Sequence, residues 1–433
     1  MRLLSIALGV LVAFDVGGAP RADETAPNPV QMTDGGALPA TPTSTPPLAN
    51  ESVIDRITPF ITSIDVHGFV TQAALKTTGN NFLVPDSKTG SLDFSEAGIN
   101  FTKVLTDRLR VGFQLYASDI GTVGGYTARF DWFYLDYRFN DWLGIRAGRT
   151  KVPYGLYNEI IDIDSAYVPA LLPQSVYPEA DREFLLAQTG MELYGRVPLR
   201  RAGALEYRAY GGTYSLRLTN EPNSQVGVQD VTVPYVFGGR LMWELPVPGL
   251  RIGASIQSLR IDANEYFTPF AIASFAATGQ LPAGFDGLAP FQIPAVLWLA
   301  SAEYLRGDLL VSAEYGQWRA RLVSPLPSIL PHEDAVSDRF YVMASYHVLP
   351  WLTPDLYYAG LRNDGANPFT QADYQQDFAA TVRFDLNSFW ILKLEAHQMV
   401  GTAELNPALN DDVPLTELPK SWWLFMVKTT AYF

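Results

Sequence analysis

From Ser63 onward, apolar and polar residues alternate in short runs, the period-two pattern of strands with one face in each of two environments. Leu109, Val111, Phe113 and Leu115 oppose Arg110, Gly112, Gln114 and Tyr116, while Leu250, Ile252, Ala254 and Ile256 oppose Arg251, Gly253, Ser255 and Gln257. Phe340, Val342, Ala344, Tyr346 and Val348 likewise oppose Tyr341, Met343, Ser345 and His347. Seven short connections separate such runs, at 106–107, 140–141, 198–203, 246–249, 306–308, 349–353 and 386–388, several with the Pro, Gly, Asn or Asp of tight turns. Eight long ones lie near 77–90, 118–127, 150–186, 215–231, 262–291, 321–337, 362–374 and 401–419. Seven short and eight long connections require about sixteen strands, an even number with both termini on the short-turn side.

A soluble β-sandwich alternates in the same way but lacks that strict asymmetry of loops. An all-β transmembrane antiparallel barrel over 63–433 is therefore expected, with short periplasmic turns, long extracellular loops and a polar lumen wide enough for water. Phe139, Trp142, Trp243, Trp351, Phe389, Trp390 and Phe433 cluster beside the short turns, where an interfacial girdle belongs. At the end of the chain Trp423, Phe425, Val427 and the terminal Phe433 share one face. This terminus resembles the C-terminal signal that the bacterial assembly machinery reads on outer-membrane barrels.

The start of the chain agrees. Met1-Arg2, an apolar run from Leu3 to Phe14 and small residues to Ala22 form a secretory signal over 1–22, too short to span a bilayer as a helix. Residues 23–62 read as a Pro- and Thr-rich periplasmic leader, mostly disordered. With no cysteine, an exported chain has no disulfides and must rely on hydrogen-bonded architecture. Mean hydropathy is only +0.03 although 48% of residues are hydrophobic, so apolar content is spread over alternate positions rather than collected in helical spans. Net charge is −14 for the full chain and −15 once Arg2, Arg21 and Asp15 leave with the signal, which excludes nucleic acid as a partner and suits loops at a lipopolysaccharide surface.

Ala147-Gly148-Arg149, Lys151, Pro153-Tyr154-Gly155 and the long stretch through Tyr167 to Tyr177 form the most specific internal segment. It resembles the fifth strand and third loop of Gram-negative outer-membrane porins, most closely the phosphate-selective O/P porins. The resemblance implies a homotrimer and a loop, 150–186, folded into the lumen as a constriction. Arg146, Arg149, Lys151, Glu159, Asp162 and Asp164 are the expected constriction residues. Anion selectivity does not carry over, because the family's basic ladder has no residue-by-residue match.

By strand parity, Arg110, Asp136, Arg138, Glu192, Arg196, Arg208, Arg240 and Arg383 are expected to line the pore, with Arg251, Lys393, Lys428, Glu206, Glu244, Glu303, Glu314, Asp385 and Glu395 on the same faces. Many of these are structural pairs and a minority set selectivity. Within the loop, Glu159, Asp162, Asp164, Glu179, Asp181 and Glu183 outnumber Lys151 and Arg182, from which a slight cation preference is expected. Asp162 and Asp164 are either a calcium site or solvated or arginine-paired acids. The four histidines are scattered, and neither HExxH nor GxSxG occurs, so no catalytic residue, metal or cofactor is expected. Between Glu265 and Glu303 the only charge is Asp286, an apolar stretch that packs on its own rim or greets a hydrophobic substrate. Passive diffusion of small hydrophilic solutes or ions is the function expected; transport of hydrophobic substrates and a barrel enzyme are the alternatives.

Overall fold

Every strand pairs antiparallel with its sequence neighbour, and the last closes on the first, so sixteen strands form one barrel. The computed structural model describes residues 64–433 except 122–123, 180–184, 217–225, 278–280, 282–283 and 366–367. The expected signal (1–22), the expected leader (23–62) and the loop charges Asp181, Arg182 and Glu183 lie outside the described residues.

On one side of the ring are β1 (Asp65–Thr77), β2 (Ser91–Thr106), β3 (Leu109–Ile120), β4 (Arg129–Asn140), β5 (Leu143–Lys151), β6 (Ala187–Pro198), β7 (Ala204–Thr213) and β8 (Val226–Glu244). The other side has β9 (Leu250–Phe267), β10 (Leu288–Arg306), β11 (Leu309–Leu322), β12 (Glu333–Tyr346), β13 (Leu352–Asp364), β14 (Tyr374–Asn387), β15 (Trp390–Gly401) and β16 (Ser421–Tyr432). All seven short connections are where turn chemistry puts them. The faces also follow parity: Trp423, Phe425 and Val427 are 42–47% exposed, while Trp422, Leu424 and Met426 between them are at most 1% exposed. The aromatics beside the short turns, including Trp142, Trp351 and Phe389, stand outward and exposed.

The expectation of a polar lumen holds on β12 and β14 as far as their distal ends, where Ser337, Arg339, Gln375 and Asp377 are buried inward, but on β9 and β11 only for the short-turn half. Along β9 the outward face changes from Leu250, Ile252, Ala254 and Ile256 to Ser258, Arg260, Asp262 and Asn264, while the inward face becomes Leu259, Ile261 and Ala263, all buried. On β11 the outward Val311, Ala313 and Tyr315 give way to Gln317, Arg319 and Arg321, and the inward Ser312 and Glu314 to Trp318 and Leu322. Strands β8 and β10 are 19 residues long and β9 is 18, whereas about 9–11 residues cross a bilayer. Their distal halves therefore stand in water, where a sheet turns its polar face out and buries the apolar one. For the same reason the expected apolar loop at 262–291 is strand at both of its ends. β9 runs to Phe267, a short helix α1 (Pro269–Ala277) follows, and β10 resumes at Leu288. The connection packs back on its own rim, with Phe275 and Phe285 edge-on to Phe267 at 5.9 and 5.4 Å.

At the seam, the Gly68 N–H donates to the Phe433 carbonyl at 3.1 Å and the Phe433 N–H to the Gly68 carbonyl at 3.0 Å. The Phe433 ring lies where a Gly68 Cβ would fall, 2.5 Å from the nearest ring carbon. Deleting Phe433 removes both bonds, about 2 kcal/mol at the closing edge. The heat-modifiable folded form should then drop severalfold in membranes; a wild-type yield would remove Phe433 from any part in closure or assembly.

Candidate functional site: a loop tied across the lumen

After Lys151 the chain leaves the wall. Pro153 cannot donate to the ladder, and Gly155 takes a left-handed conformation (φ 64°) at a point where a Cβ would lie 2.3 Å from the Tyr177 hydroxyl and 2.9 Å from a Glu314 oxygen. The segment to Leu186 then crosses the lumen, and most of its described residues are buried.

Its first anchor is Glu314 of β11. This buried carboxylate accepts from the Leu156 N–H (3.0 Å), the Tyr341 hydroxyl (2.9 Å) and the hydroxyls of Tyr177 and Ser301. Burial pushes the Tyr177 hydroxyl well above the ordinary tyrosine range, aided by the Glu314 charge, so it remains a donor.

The second anchor is Glu159. It lies 2.6 Å from Arg208 and 3.0 Å from Arg240, and the chain of pairs continues from Arg208 to Glu192 (3.1 Å), Arg146 (3.3 Å), Asp136 (3.3 Å) and Arg110 (2.9 Å). Burial works against the Glu159 charge, yet Arg208 and Arg240 outweigh it and hold the carboxyl below its usual range. Next, Asp162 pairs with Lys151 and accepts from the Gln114 amide at 2.5 Å; Lys151 is also 3.4 Å from Asp131.

The third anchor is Asp164, which reaches the opposite wall. It sits 3.3 Å from Lys393 and 3.0 Å from Lys428 and accepts from the Thr430 hydroxyl at 2.5 Å. Burial again opposes the charge, but the two ammonium groups and the hydroxyl keep the carboxyl below the usual carboxylate range. Beyond it, Glu395 accepts from the Ala170 and Leu171 N–H groups at 2.7 and 2.9 Å, and His397 bridges Glu395 (2.9 Å) to Asp377 (3.0 Å). Arg383 donates to the Ser165 and Tyr167 carbonyls, and Arg339 to that of Ser175.

Of the expected constriction residues, Arg146, Lys151, Glu159, Asp162 and Asp164 meet on or beneath this loop, each already paired. Arg149 lies opposite Phe133 on β4 and donates to the Asp131 carbonyl at 2.9 Å. Among the expected lining residues, Arg110, Asp136, Glu192, Arg208, Arg240 and Arg383 join the network. Arg138 and Arg196 do not; they pair with Asp141 (2.7 Å) and Glu244 (2.5 Å), exposed at the short-turn rim. Asp162 and Asp164 are neither solvated nor arginine-paired: both are buried and take lysines as partners. Residue order does not single out Glu314, Glu395 and His397 as loop anchors, since each resembles any other inward polar residue of an alternating strand.

A cavity of about 480 Å³ lies under the loop on the short-turn side, lined by His67, Phe69, Asn100, Thr102, Gln114, Trp132, Tyr134, Arg146, Glu159 and Thr430 among others.

No family model matches the chain. A protein of Aquifex aeolicus (strain VF5) described as uncharacterized is 25% identical over 186 residues, so the match spans 40% of each chain. Among solved structures, OmpT of Vibrio cholerae is similar at 13% identity and TM-score 0.51, covering 86% of this chain and 97% of its own. The outer membrane channel DcaP of Acinetobacter baumannii (10% identity, TM-score 0.52) and Salmonella typhi OmpF, in complex with daunomycin (13%, 0.51), match over the same shares. The chain therefore has the fold that the resemblance to porins implied, the closed sixteen-strand barrel of outer-membrane channels.

Proposed function

We propose that the protein is an outer-membrane porin through which small hydrophilic solutes or ions diffuse passively past the inward loop. The observation that carries this reading is the loop Lys151–Leu186, tied to both sides of a closed barrel by ion pairs while the cavity beneath it keeps a polar wall. The alternative of a hydrophobic-substrate transporter draws on the apolar distal inner faces of β9, β10 and β11. Those side chains, Leu259, Phe291, Ile293 and Trp318 among them, are already covered by neighbours, which makes them packing rather than passage. The reading includes residence in a Gram-negative outer membrane facing lipopolysaccharide, insertion by the barrel-assembly machinery, and a homotrimer; subunit mass in mild detergent tests the last. Reconstitution in planar bilayers tests the core of it, with stepwise ionic conductance expected and a closed membrane at all voltages counting against it.

Selectivity should be slight, because the loop acids face wall bases at ion-pair distance and their fields largely cancel beyond a Debye length of about 8 Å. Neutralising Glu159, Asp162 and Asp164 together leaves Arg208, Arg240, Lys151, Lys393 and Lys428 in excess. The reversal potential in a KCl gradient should then shift toward anions, most at low salt. A wild-type channel that is already strongly anion-selective would overturn the cation preference and direct attention to Arg146 and Arg149.

A further inference from the structure

The cavity beneath the loop combines three features. First, Trp132 and Tyr134 both face inward from β4, half-buried, their rings 5.2 Å apart and nearly parallel at 19°. The Trp132 ring edge occupies the space over Gly112, where a Cβ would sit 3.1 Å from it, so the bare glycine lets the indole lean over the wall of β3. Second, Asn100 and Thr102 line the same cavity with uncharged donors and acceptors, and Gln114, whose amide N–H groups go to Asp131 and Asp162, adds its amide oxygen as an acceptor. Third, its charges are matched: Arg146 has carboxylates of Asp136 and Glu192 at 3.3 Å each, Arg110 has Asp136 at 2.9 Å, and Lys151 has Asp131 at 3.4 Å as well as Asp162.

An anion would need basic groups not already compensated, and a cation would find Tyr134 already taken by the Arg146 and Arg110 guanidinium groups, 5.4 and 5.8 Å from the ring centre, which would also repel it. A neutral polyhydroxylated ring uses all three features. Its C–H face packs on the indole, its hydroxyls exchange hydrogen bonds with amides and a threonine, and it has no charge to be repelled. At about 480 Å³ the cavity falls within the range of about 300–1,000 Å³ typical of small-molecule sites.

We propose that this vestibule is a binding subsite for a neutral sugar ring, stacked on Trp132 and hydrogen-bonded by Asn100, Thr102 and Gln114. The inference deepens the channel reading and rests on it for its biological sense. The test has two arms. In planar bilayers, maltotriose added on the short-turn side should reduce ion current saturably, gluconate should not, and Trp132→Ala should weaken the maltotriose effect about tenfold. Trp132→Phe keeps a ring and should retain most of the binding, which separates recognition from misfolding. Calorimetric titration of the purified protein with maltotriose reads binding without conduction. A protein that binds the sugar but never conducts would sink the channel reading alone. A conducting channel with no saturation by maltotriose, or one whose block is unchanged in Trp132→Ala, overturns the sugar subsite, as would saturation by gluconate only.

Discussion

Replacing Asp164 with alanine is expected to release the loop from the β15–β16 wall and to raise conductance while the barrel stays inserted. The carboxylate is buried between Lys393 at 3.3 Å and Lys428 at 3.0 Å. Removing one member of a buried charge cluster typically costs about 3–5 kcal/mol, because the remaining charges keep their desolvation penalty without compensation. The loss should fall mainly on Lys393. Lys428 retains Glu96 at 3.4 Å, whereas Lys393 has the Pro169 carbonyl at 2.8 Å and the Tyr167 ring at 4.3 Å beside it and feels a carboxyl, that of Asp355, only from beyond ion-pair distance. Loss of that much docking energy is enough to populate an undocked loop, visible as noisier and larger single-channel currents and as protease cleavage between Ile163 and Val176. Asp164→Asn keeps the shape and a bond to Thr430 but not the charge, and should show most of the effect.

A pH arm accompanies that variant. The Asp164 carboxyl titrates below its ordinary value of 3.8 in the folded protein, so its stabilisation is fully present above that value and is lost as pH falls through the lower folded one. The hold of Asp164 on the loop should therefore be constant from neutrality to about pH 4 and weaken only below it, seen as a rise in conductance at acid pH that Asp164→Asn lacks. An Asp164→Ala channel with wild-type currents and an intact loop would show that the lysine pair does not hold the segment down.

The larger change is expected when Asp162 to Val176 is replaced by a short Gly-Ser linker. This cut removes the Asp164 anchor, the Ala170 and Leu171 N–H bonds to Glu395, and the buried apolar groups Tyr167, Leu171, Leu172 and Val176 that fill the middle of the lumen. It leaves the closed ladder untouched, since strand-to-strand pairing involves none of these residues. A ring of sixteen strands is wide enough for an aqueous channel once its filling is gone, so conductance should rise severalfold with normal insertion. Lys393, Lys428 and Arg383 would then meet water and recover solvation, which limits the stability cost. Unchanged conductance in the folded variant would place the narrowest passage elsewhere, and failure to insert would make the segment part of the barrel core rather than a separable constriction.

Much of the architecture follows from the sequence alone because it depends on near neighbours. Alternation with period two orients Trp423, Phe425 and Val427 outward, and turn residues near Asn140-Asp141 or Gly307-Asp308 fix the short connections, so strand number and closure follow from counting. Parity also turned most of the lining charges inward. It did not decide polarity along the whole of β9 and β11, since an apolar inward face such as Leu259, Ile261 and Trp318 acquires meaning only once strand length shows how far the barrel outruns the lipid. The loop was visible as a long, acidic, porin-like segment, but the destination of each acid was not. Asp164 meets Lys393, which lies 229 residues away in sequence, and Glu314 receives Tyr177 from 137 residues away. Such pairings depend on the path the segment takes across the closed ring, and only closure brings β5, β11 and β16 within one side-chain length of the same loop. For that reason the sequence determined the barrel, its faces and the expectation that many inward charges pair, while the tertiary structure alone decided which acid meets which base and that the loop acids are tied to the wall.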